Sequence, residues 1–148
     1  MSAKQAQALF DEAAQREIVA AIAAAEGRTS GEIRLHVDGR CKGDVMDRAA
    51  FVFEKLEMHK TALRNGVLFY LATADRKFAI LGDGGINAAV PENFWDDVVR
   101  VVTQGLAAGR PAAALSDGIR MAGEQLAAFF PVAADDINEL SDDISFGA

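Results

Sequence analysis

An unbroken run of apolar residues at positions 67–72 constrains the fold more than any other feature of this chain. The run reads Val-Leu-Phe-Tyr-Leu-Ala, and a charged turn separates it from a shorter apolar run at residues 78–81. A strand with one face in water alternates polar and apolar residues, so continuous apolar character indicates a strand that is covered on both faces. We therefore predict that residues 67–72 form the central strand of a sheet.

The segments around this strand predict the order of the sheet. Residues 32–37 alternate, with Ile33, Leu35 and Val37 on one face, which is typical of a strand. An apolar stripe at helical spacing follows at residues 46–56, and Asp44 is placed to cap its first turn. A strand, a helix and a buried strand form a right-handed crossover with parallel strands. The turn at residues 74–77 is too short for a crossover, so the strand at residues 78–81 returns antiparallel.

Apolar residues at helical spacing predict three further helices. The first covers residues 10–25 and ends at Gly27, and the second covers residues 95–106. The third begins near Pro111 and ends before Pro131. With 148 residues the chain is most simply one domain. The predicted fold class is α/β, a three-layer αβα sandwich in which helices flank a Rossmann-like mixed sheet of few strands.

The C-terminal tail, residues 132–148, combines negative charge with apolar side chains. Its carboxylates supply most of the formal net charge of −7, and they belong to Asp135, Asp136, Glu139, Asp142 and Asp143. Its large apolar residues beyond position 134 are Ile137, Leu140, Ile144 and Phe146. Segments that stay disordered are poor in such residues. We therefore expect at least part of the tail to dock on the domain.

Charge and composition argue against several classes of partner and location. Outside the tail the chain is nearly neutral and has no basic stripe, so we expect no nucleic-acid partner. Apolar stretches such as residues 18–25 fall short of the roughly 20 residues of a membrane span, so we expect no span. The N-terminus shows no apolar signal core, and the single cysteine, Cys41, excludes an internal disulfide. We therefore expect a cytoplasmic protein.

The predicted topology gathers oxygen-bearing side chains at one edge of the sheet. The first two strands begin at this edge and the third ends there. The side chains that meet there include Glu32, Asn65, Asp83 and Asn87. Carboxylate and amide oxygens are ligands that calcium and magnesium prefer, and the glycines around Asp83 allow a tight turn. We therefore predict a divalent-cation site, for calcium in preference to magnesium. Two alternatives stay open: Arg64 neutralises the same carboxylates as an ion pair without a metal, or the loop is a plain connection.

The opposite edge, at the carboxyl ends of the parallel strands, is where open α/β sheets usually bind ligands. The polar residues that the topology places there are His36, Asp38, Cys41, Asp75, Arg76 and Lys77. We expect His36 at the surface, because it lies on the polar face of its strand. Neither His36 nor His59 has a second histidine at the spacing of metal ligands, so we expect no zinc.

Three separated segments carry a resemblance to a known family. They read TSGEIRLHV at residues 29–37, RNGVLFYLATADRKFAILGDGGIN at residues 64–87 and DINELSDDISFG at residues 136–147. In this order they resemble the TPM domain family, in particular its stand-alone bacterial branch, over residues 10–147. Most relatives show Gly-Tyr-Gly-Leu-Glu after the second strand of the hairpin, whereas this chain has Gly-Asp-Gly-Gly-Ile-Asn at residues 82–87.

The resemblance implies a compact α/β sandwich with a Rossmann-like sheet. It also implies divalent-cation binding, as in some members, and a disputed acid phosphatase activity, as in a plant thylakoid relative. Our leading hypothesis is a single TPM domain over residues 1–148 that binds a divalent cation and has a structural role or an interaction role with a protein partner. The alternative is a weak metal-dependent acid phosphatase. The chain has no cysteine-phosphatase cradle, Walker lysine, Gly-x-Ser-x-Gly elbow or aspartyl-phosphate motif, so we assign no catalytic residues and lean against an enzyme.

Overall fold

The computed structural model of the protein describes residues 10–132 and 143–147. The helices are α1 (Glu12–Glu26), α2 (Val45–Lys55), α3 (Gly84–Ala89), α4 (Phe94–Ala107) and α5 (Pro111–Phe129), with a 3₁₀ turn at Met58–Lys60. The strands are β1 (Glu32–Asp38), β2 (Gly66–Ala72), β3 (Lys77–Gly82) and β4 (Ser145–Phe146). None of these helices has the length and apolar character needed to cross a membrane.

The strands form one mixed sheet in the order β3-β2-β1-β4. β1 runs parallel to β2 with Glu32 opposite Gly66, and β3 returns antiparallel with Gly82 opposite Val67. The predicted crossover and hairpin are therefore confirmed, and with them the α/β fold class. β4 adds a short parallel strand at the free edge of β1, with Ser145 opposite His36. No alternating pattern in the sequence had indicated this fourth strand.

Two apolar cores lie on the two faces of the sheet, as a three-layer sandwich requires. On one face, α1, α4 and α5 cover side chains of β1 and β2 such as Leu35 and Phe69. On the other face, α2 and the 3₁₀ turn cover Leu68 and Tyr70 of β2. Every residue of β2 is buried, which confirms the central position predicted from its unbroken apolar run.

Local signals place the helix ends where the sequence predicts them. The backbone N–H of Gly27 donates to carbonyls of the last turn of α1. The Asp44 carboxylate caps α2 by accepting hydrogen bonds from the backbone N–H groups of Met46 and Asp47. Pro111 occupies the first turn of α5, where its missing N–H has no intrahelical partner to lose.

Two expectations about polar segments were wrong. The glycine-rich segment after β3 is not an open loop but enters the short helix α3, because the Asp83 carboxylate accepts a hydrogen bond from the Gly84 N–H. The Arg64 carbonyl, in the preceding turn, also accepts the N–H of Gly85 at 2.8 Å. His36 is not at the surface: it is 6% exposed, since hydrogen-bonding partners surround its ring.

The described part of the tail contacts the domain. Phe146 pairs with Val37 in the sheet, and Ile144 and Phe146 pack against the core that α1, α4 and α5 cover. The remaining tail residues named above, Asp135, Asp136, Ile137, Glu139, Leu140 and Asp142, lie outside the described residues. Docking of residues 132–148 as a whole, and the single domain over residues 1–148, stay predictions.

Substitution of two neighbouring glycines tests how tightly α3 sits against the Arg64 turn. A Cβ on Gly85 would lie 2.2 Å from the Leu63 carbonyl oxygen and 2.6 Å from that of Arg64, whereas a Cβ on Gly84 meets nothing within 4 Å. Because backbone atoms cannot easily move aside, we expect Gly85→Ala to lower the free energy of unfolding by about 1–3 kcal/mol in urea denaturation. The matched control Gly84→Ala should leave it unchanged or raise it by up to about 1 kcal/mol. Equal stabilities would contradict the close packing.

Candidate functional site

Buried polar side chains in the described part of the chain concentrate at the two edges of the sheet. Those at the amino edge, where β1 and β2 begin and β3 ends, are Thr29, Glu32, Thr61, Asn65 and Asp83, all at most 7% exposed. Those at the carboxyl edge are His36 and Asp38. The edge chosen from the sequence for a cation therefore holds more buried polar groups than the other.

At the amino edge, Arg64 and Asp83 form a two-pronged ion pair. The Arg64 Nε lies 2.7 Å from Asp83 Oδ2, and Nη2 lies 2.8 Å from Oδ1. Burial alone would raise the pKa of the Asp83 carboxyl, but hydrogen bonds from Arg64 and the Gly84 N–H outweigh it and hold the pKa below 3.8. Arg64 adopts a left-handed backbone conformation, with φ 52°, in the turn that presents its side chain to Asp83. The ion pair that the sequence left as an alternative is therefore present.

The other residues proposed as cation ligands lie around the start of β2. Glu32 is opposite Gly66, and the Gly66 carbonyl accepts the Asp83 N–H at 2.9 Å, so the two acidic residues flank Gly66 from either side. Asn65 precedes Gly66, and its carbonyl accepts the Glu32 N–H at 3.4 Å. The structure thus brings Glu32, Asn65 and Asp83 to one end of three adjacent strands.

Asn87 has a different environment. Its Nδ2 donates to the Gly82 carbonyl at 2.8 Å, and its Oδ1 accepts from Trp95 Nε1 at 2.8 Å. The amide therefore links the end of β3 to the start of α4. Within residues 10–132 and 143–147, no group of three or more His, Cys, Asp or Glu side chains could hold a metal ion together. Cation binding at this edge stays a prediction.

The carboxyl edge holds a buried hydrogen-bond network that the sequence analysis did not assemble. Asp38 is fully buried and accepts three side chains: His36 Nε2 at 2.8 Å, Arg48 Nε at 2.8 Å and the Tyr70 hydroxyl at 2.6 Å. His36 Nδ1 in turn lies 2.9 Å from Ser145 Oγ on β4. The network therefore joins β1, β2, α2 and β4 around one carboxylate.

The pKa values of this network follow from its geometry. Burial would raise the pKa of Asp38, but hydrogen bonds from His36, Arg48 and Tyr70 outweigh it and hold the pKa well below 3.8. Burial and the neighbouring Asp38 both raise the pKa of Tyr70 well above 10.0. Asp38 is therefore an ionised acceptor and Tyr70 a neutral donor over the whole ordinary pH range. Because an ionised carboxylate has no proton to give, His36 Nε2 donates to it.

Some features of the sequence point to this network, but they can be interpreted only once the pairing of the strands is known. His36 and Asp38 share one face of β1 because they are two residues apart. Tyr70 stands opposite His36 in the parallel register, and their rings stack with centroids 6.0 Å apart. A tyrosine inside an otherwise apolar strand indicates a partner for its hydroxyl. Ser145 gave no such signal, because its pairing spans more than a hundred residues.

Close approach of the tail to this network requires a glycine. A Cβ on Gly147 would lie 2.5 Å from Asp38 Oδ1 and 2.7 Å from His36 Nε2, and the Gly147 N–H donates to the Val37 carbonyl at 2.9 Å. The carboxyl-edge network is thus covered by the chain itself. The network therefore has a structural role, because both oxygens of the Asp38 carboxylate already accept hydrogen bonds.

The pH dependence of stability reports on Asp38. Because its pKa is lowered in the folded state, its contribution is fully present above about pH 4 and is lost as the pH falls further. We expect Asp38→Asn to lower the free energy of unfolding by about 3 kcal/mol near neutral pH, since it leaves buried donors without a charge to bind. The difference from the wild type should narrow as urea denaturation is repeated at lower pH.

A matched control is Asp117→Asn, which removes an exposed partner of Arg120. We expect it to change the free energy of unfolding by less than about 1 kcal/mol at any pH. An Asp38→Asn effect that stays constant down to acidic pH would contradict the lowered pKa.

Comparisons with known proteins agree with this architecture. The family model described as the TPM domain matches residues 3–125. The NMR structure of the BA42 protein from the psychrophilic bacterium Bizionia argentinensis is similar, with 44% identity and a TM-score of 0.86 over 92% of this chain and 94% of that chain. The solution NMR structure of the N-terminal domain of a protein from P. gingivalis shares the fold, with 15% identity and a TM-score of 0.65 over 81% of this chain and 78% of that chain. A search of curated proteins gave no match. The family model covers most of the sequence, and the chain therefore belongs to the TPM domain family.

Proposed function

We propose that this TPM domain binds a divalent cation, calcium in preference to magnesium, at the amino edge of its sheet. In this proposal it has a structural or interaction role and is not an efficient enzyme. The observation that carries the proposal is the concentration of buried oxygen-bearing side chains at that edge, with Glu32 2% and Asp83 7% exposed. Burial of carboxylates is unfavourable unless cationic or hydrogen-bonding partners compensate it, so such a cluster favours a cation.

The available ligand types suit calcium better than a transition metal. Calcium takes six to eight oxygens from carboxylates, amide and backbone carbonyls and water, so two carboxylates with neutral oxygens nearby are a reasonable start. Besides Glu32 and Asp83, the edge offers Asn65 and the buried hydroxyl of Thr61, which has no hydrogen-bond partner among the described residues. The side-chain oxygen of Asn87 already accepts the hydrogen bond from Trp95 Nε1. It contributes to the site only if it binds the cation at the same time.

Arg64 occupies the position that a cation would take beside Asp83. The arginine side chain is 57% exposed, so water can solvate its guanidinium, whereas the Asp83 side chain is 7% exposed and needs a cationic partner. The guanidinium can therefore move into solvent when a divalent ion arrives, because that ion takes over the compensation of Asp83. In this proposal the ion pair is the cation-free state of the site, and Asp83 exchanges a monovalent partner for a divalent one.

The phosphatase alternative requires more of the site than cation binding. Phosphoryl transfer needs positive charge around the transferring group together with a positioned nucleophile or water. At the amino edge the arginine is engaged with Asp83, and a bound calcium would leave two carboxylates close to an anionic substrate. We therefore place cation binding first, and the alternative keeps only the support of the family resemblance.

Calcium titration tests the proposed site. A ligand that binds only the folded state at about one hundred times its dissociation constant raises the free energy of unfolding by about 2.7 kcal/mol. We expect calcium to raise the thermal midpoint of the wild type, and Asp83→Asn and Glu32→Gln each to remove most of that increment. The control Asp117→Asn, at an exposed carboxylate of α5, should keep it. A wild-type midpoint that does not move at millimolar calcium would refute the proposal.

Removal of Arg64 distinguishes the proposal from a purely structural ion pair. If the guanidinium competes with the cation, Arg64→Ala should tighten calcium binding in isothermal titration, even though it weakens the cation-free protein. The control Arg120→Ala removes an exposed arginine that pairs with Asp117 and should leave the affinity unchanged. Destabilisation without any calcium affinity is the outcome expected of the structural alternative.

A further inference from the structure

A cavity of about 550 Å³ opens at the carboxyl edge of the sheet, away from the proposed cation site. Its walls come from the end of β2, the turn into β3, the end of α4 and the start of α5. The apolar side chains that line it are Phe10, Leu71, Phe78, Leu106, Ala107 and Pro111. The volume lies within the range of small-molecule sites, and the edge is the one where open α/β sheets bind ligands.

One positive charge stands at this apolar cavity. Arg76 is the single charged residue among the residues that line it. Within the described part of the chain, its guanidinium has neither an ion pair nor a hydrogen bond. Its neighbour Asp75 is turned the other way, since its carboxylate accepts the Cys41 N–H at 2.7 Å and lies 3.9 Å from Arg40. Among the residues that the structure describes, none therefore neutralises the charge of Arg76 at the cavity.

The two threonines that line the cavity bring no negative charge to Arg76. The Thr103 hydroxyl donates within its own helix, to the Val99 carbonyl at 2.8 Å, and the Thr73 hydroxyl donates to the Asp38 carbonyl at 3.4 Å. The first turn of α5, which contributes Pro111, has no side-chain cap, so the positive end of a 19-residue helix adds to the same potential. An apolar cavity with a single guanidinium fits a ligand with an apolar body and one negative charge.

We propose that this cavity binds a small amphipathic monocarboxylate, whose carboxylate pairs with Arg76 and whose apolar chain lies between Leu71, Phe78 and Leu106. Guanidinium and carboxylate match as a planar two-pronged pair. A phosphate dianion needs more than one cation for comparable compensation, so the single arginine favours the carboxylate. The site is separate from the amino edge, and it stands or falls independently of cation binding.

Decanoate titration of the full-length protein, followed by two-dimensional NMR, tests the proposal. We expect saturable shifts of the amides at residues 71–78 and 103–110. Affinity should rise about fourfold for each methylene added from hexanoate to decanoate, as apolar burial predicts. The neutral probe 1-decanol should bind more weakly, because it cannot pair with the guanidinium. Shifts that grow linearly without saturation, or that spread over the whole protein, would overturn the proposal.

Two variants separate the charge from the fold. Arg76→Gln keeps a polar side chain at an exposed position and removes its charge, so we expect at least a tenfold loss of decanoate affinity with an unchanged spectrum elsewhere. Arg100→Gln, which alters an exposed arginine of α4 that pairs with Asp97, should retain the affinity. Equal affinities for both variants would refute a role for Arg76. Contacts between residues 1–9 and Phe78 in the ligand-free protein would also overturn the proposal, because the chain would then fill its own cavity.

Discussion

Burial of β2 on both faces is the constraint on which the rest of the structure depends. Each of its seven residues is buried, so the strand is stable only with helices on both sides and a strand at each edge. The α1–α4–α5 layer and the α2 layer satisfy the first requirement, and β1 and β3 satisfy the second. Because the faces of the strand are apolar, polar chemistry is confined to its two ends.

Asp38 shows how a charge can sit at one of these ends. A carboxylate without solvent exposure is tolerated when charged and neutral donors compensate it, and here an arginine, a tyrosine and a histidine all bind it. The donors come from β1, β2 and α2, and Ser145 of β4 extends the network through His36. A single charge thus orients four elements, and its low pKa keeps that orientation intact at ordinary pH.

Local patterns in the sequence predicted the helices and strands, whereas the clusters of polar side chains depend on contacts between residues far apart in the sequence. The apolar run of β2, the Asp44 cap and the short hairpin turn each act over a few residues, which is why the order of β1, β2 and β3 and most helix ends were predictable. The Asp38 network joins Tyr70 at a separation of 32 residues and Ser145 to His36 at 109, so only the folded register brings it together. The helix α3 was missed because two glycines disfavour a helix, whereas Asp83 and the Arg64 carbonyl hold it in place.

The two edges differ in how firmly their charges are held, and this difference bears on where a ligand can enter. At the carboxyl edge Arg48 is 32% exposed and shares a fully buried Asp38 with two other donors, so separation would leave a buried charge without compensation. At the amino edge Arg64 is 57% exposed, so water solvates its guanidinium when it leaves, and the 7%-exposed Asp83 then needs a second cation in its place. Exchange of one cation for another is therefore easier at the amino edge. The Asp38 network instead joins β1, β2, α2 and β4 around one carboxylate that stays ionised at ordinary pH.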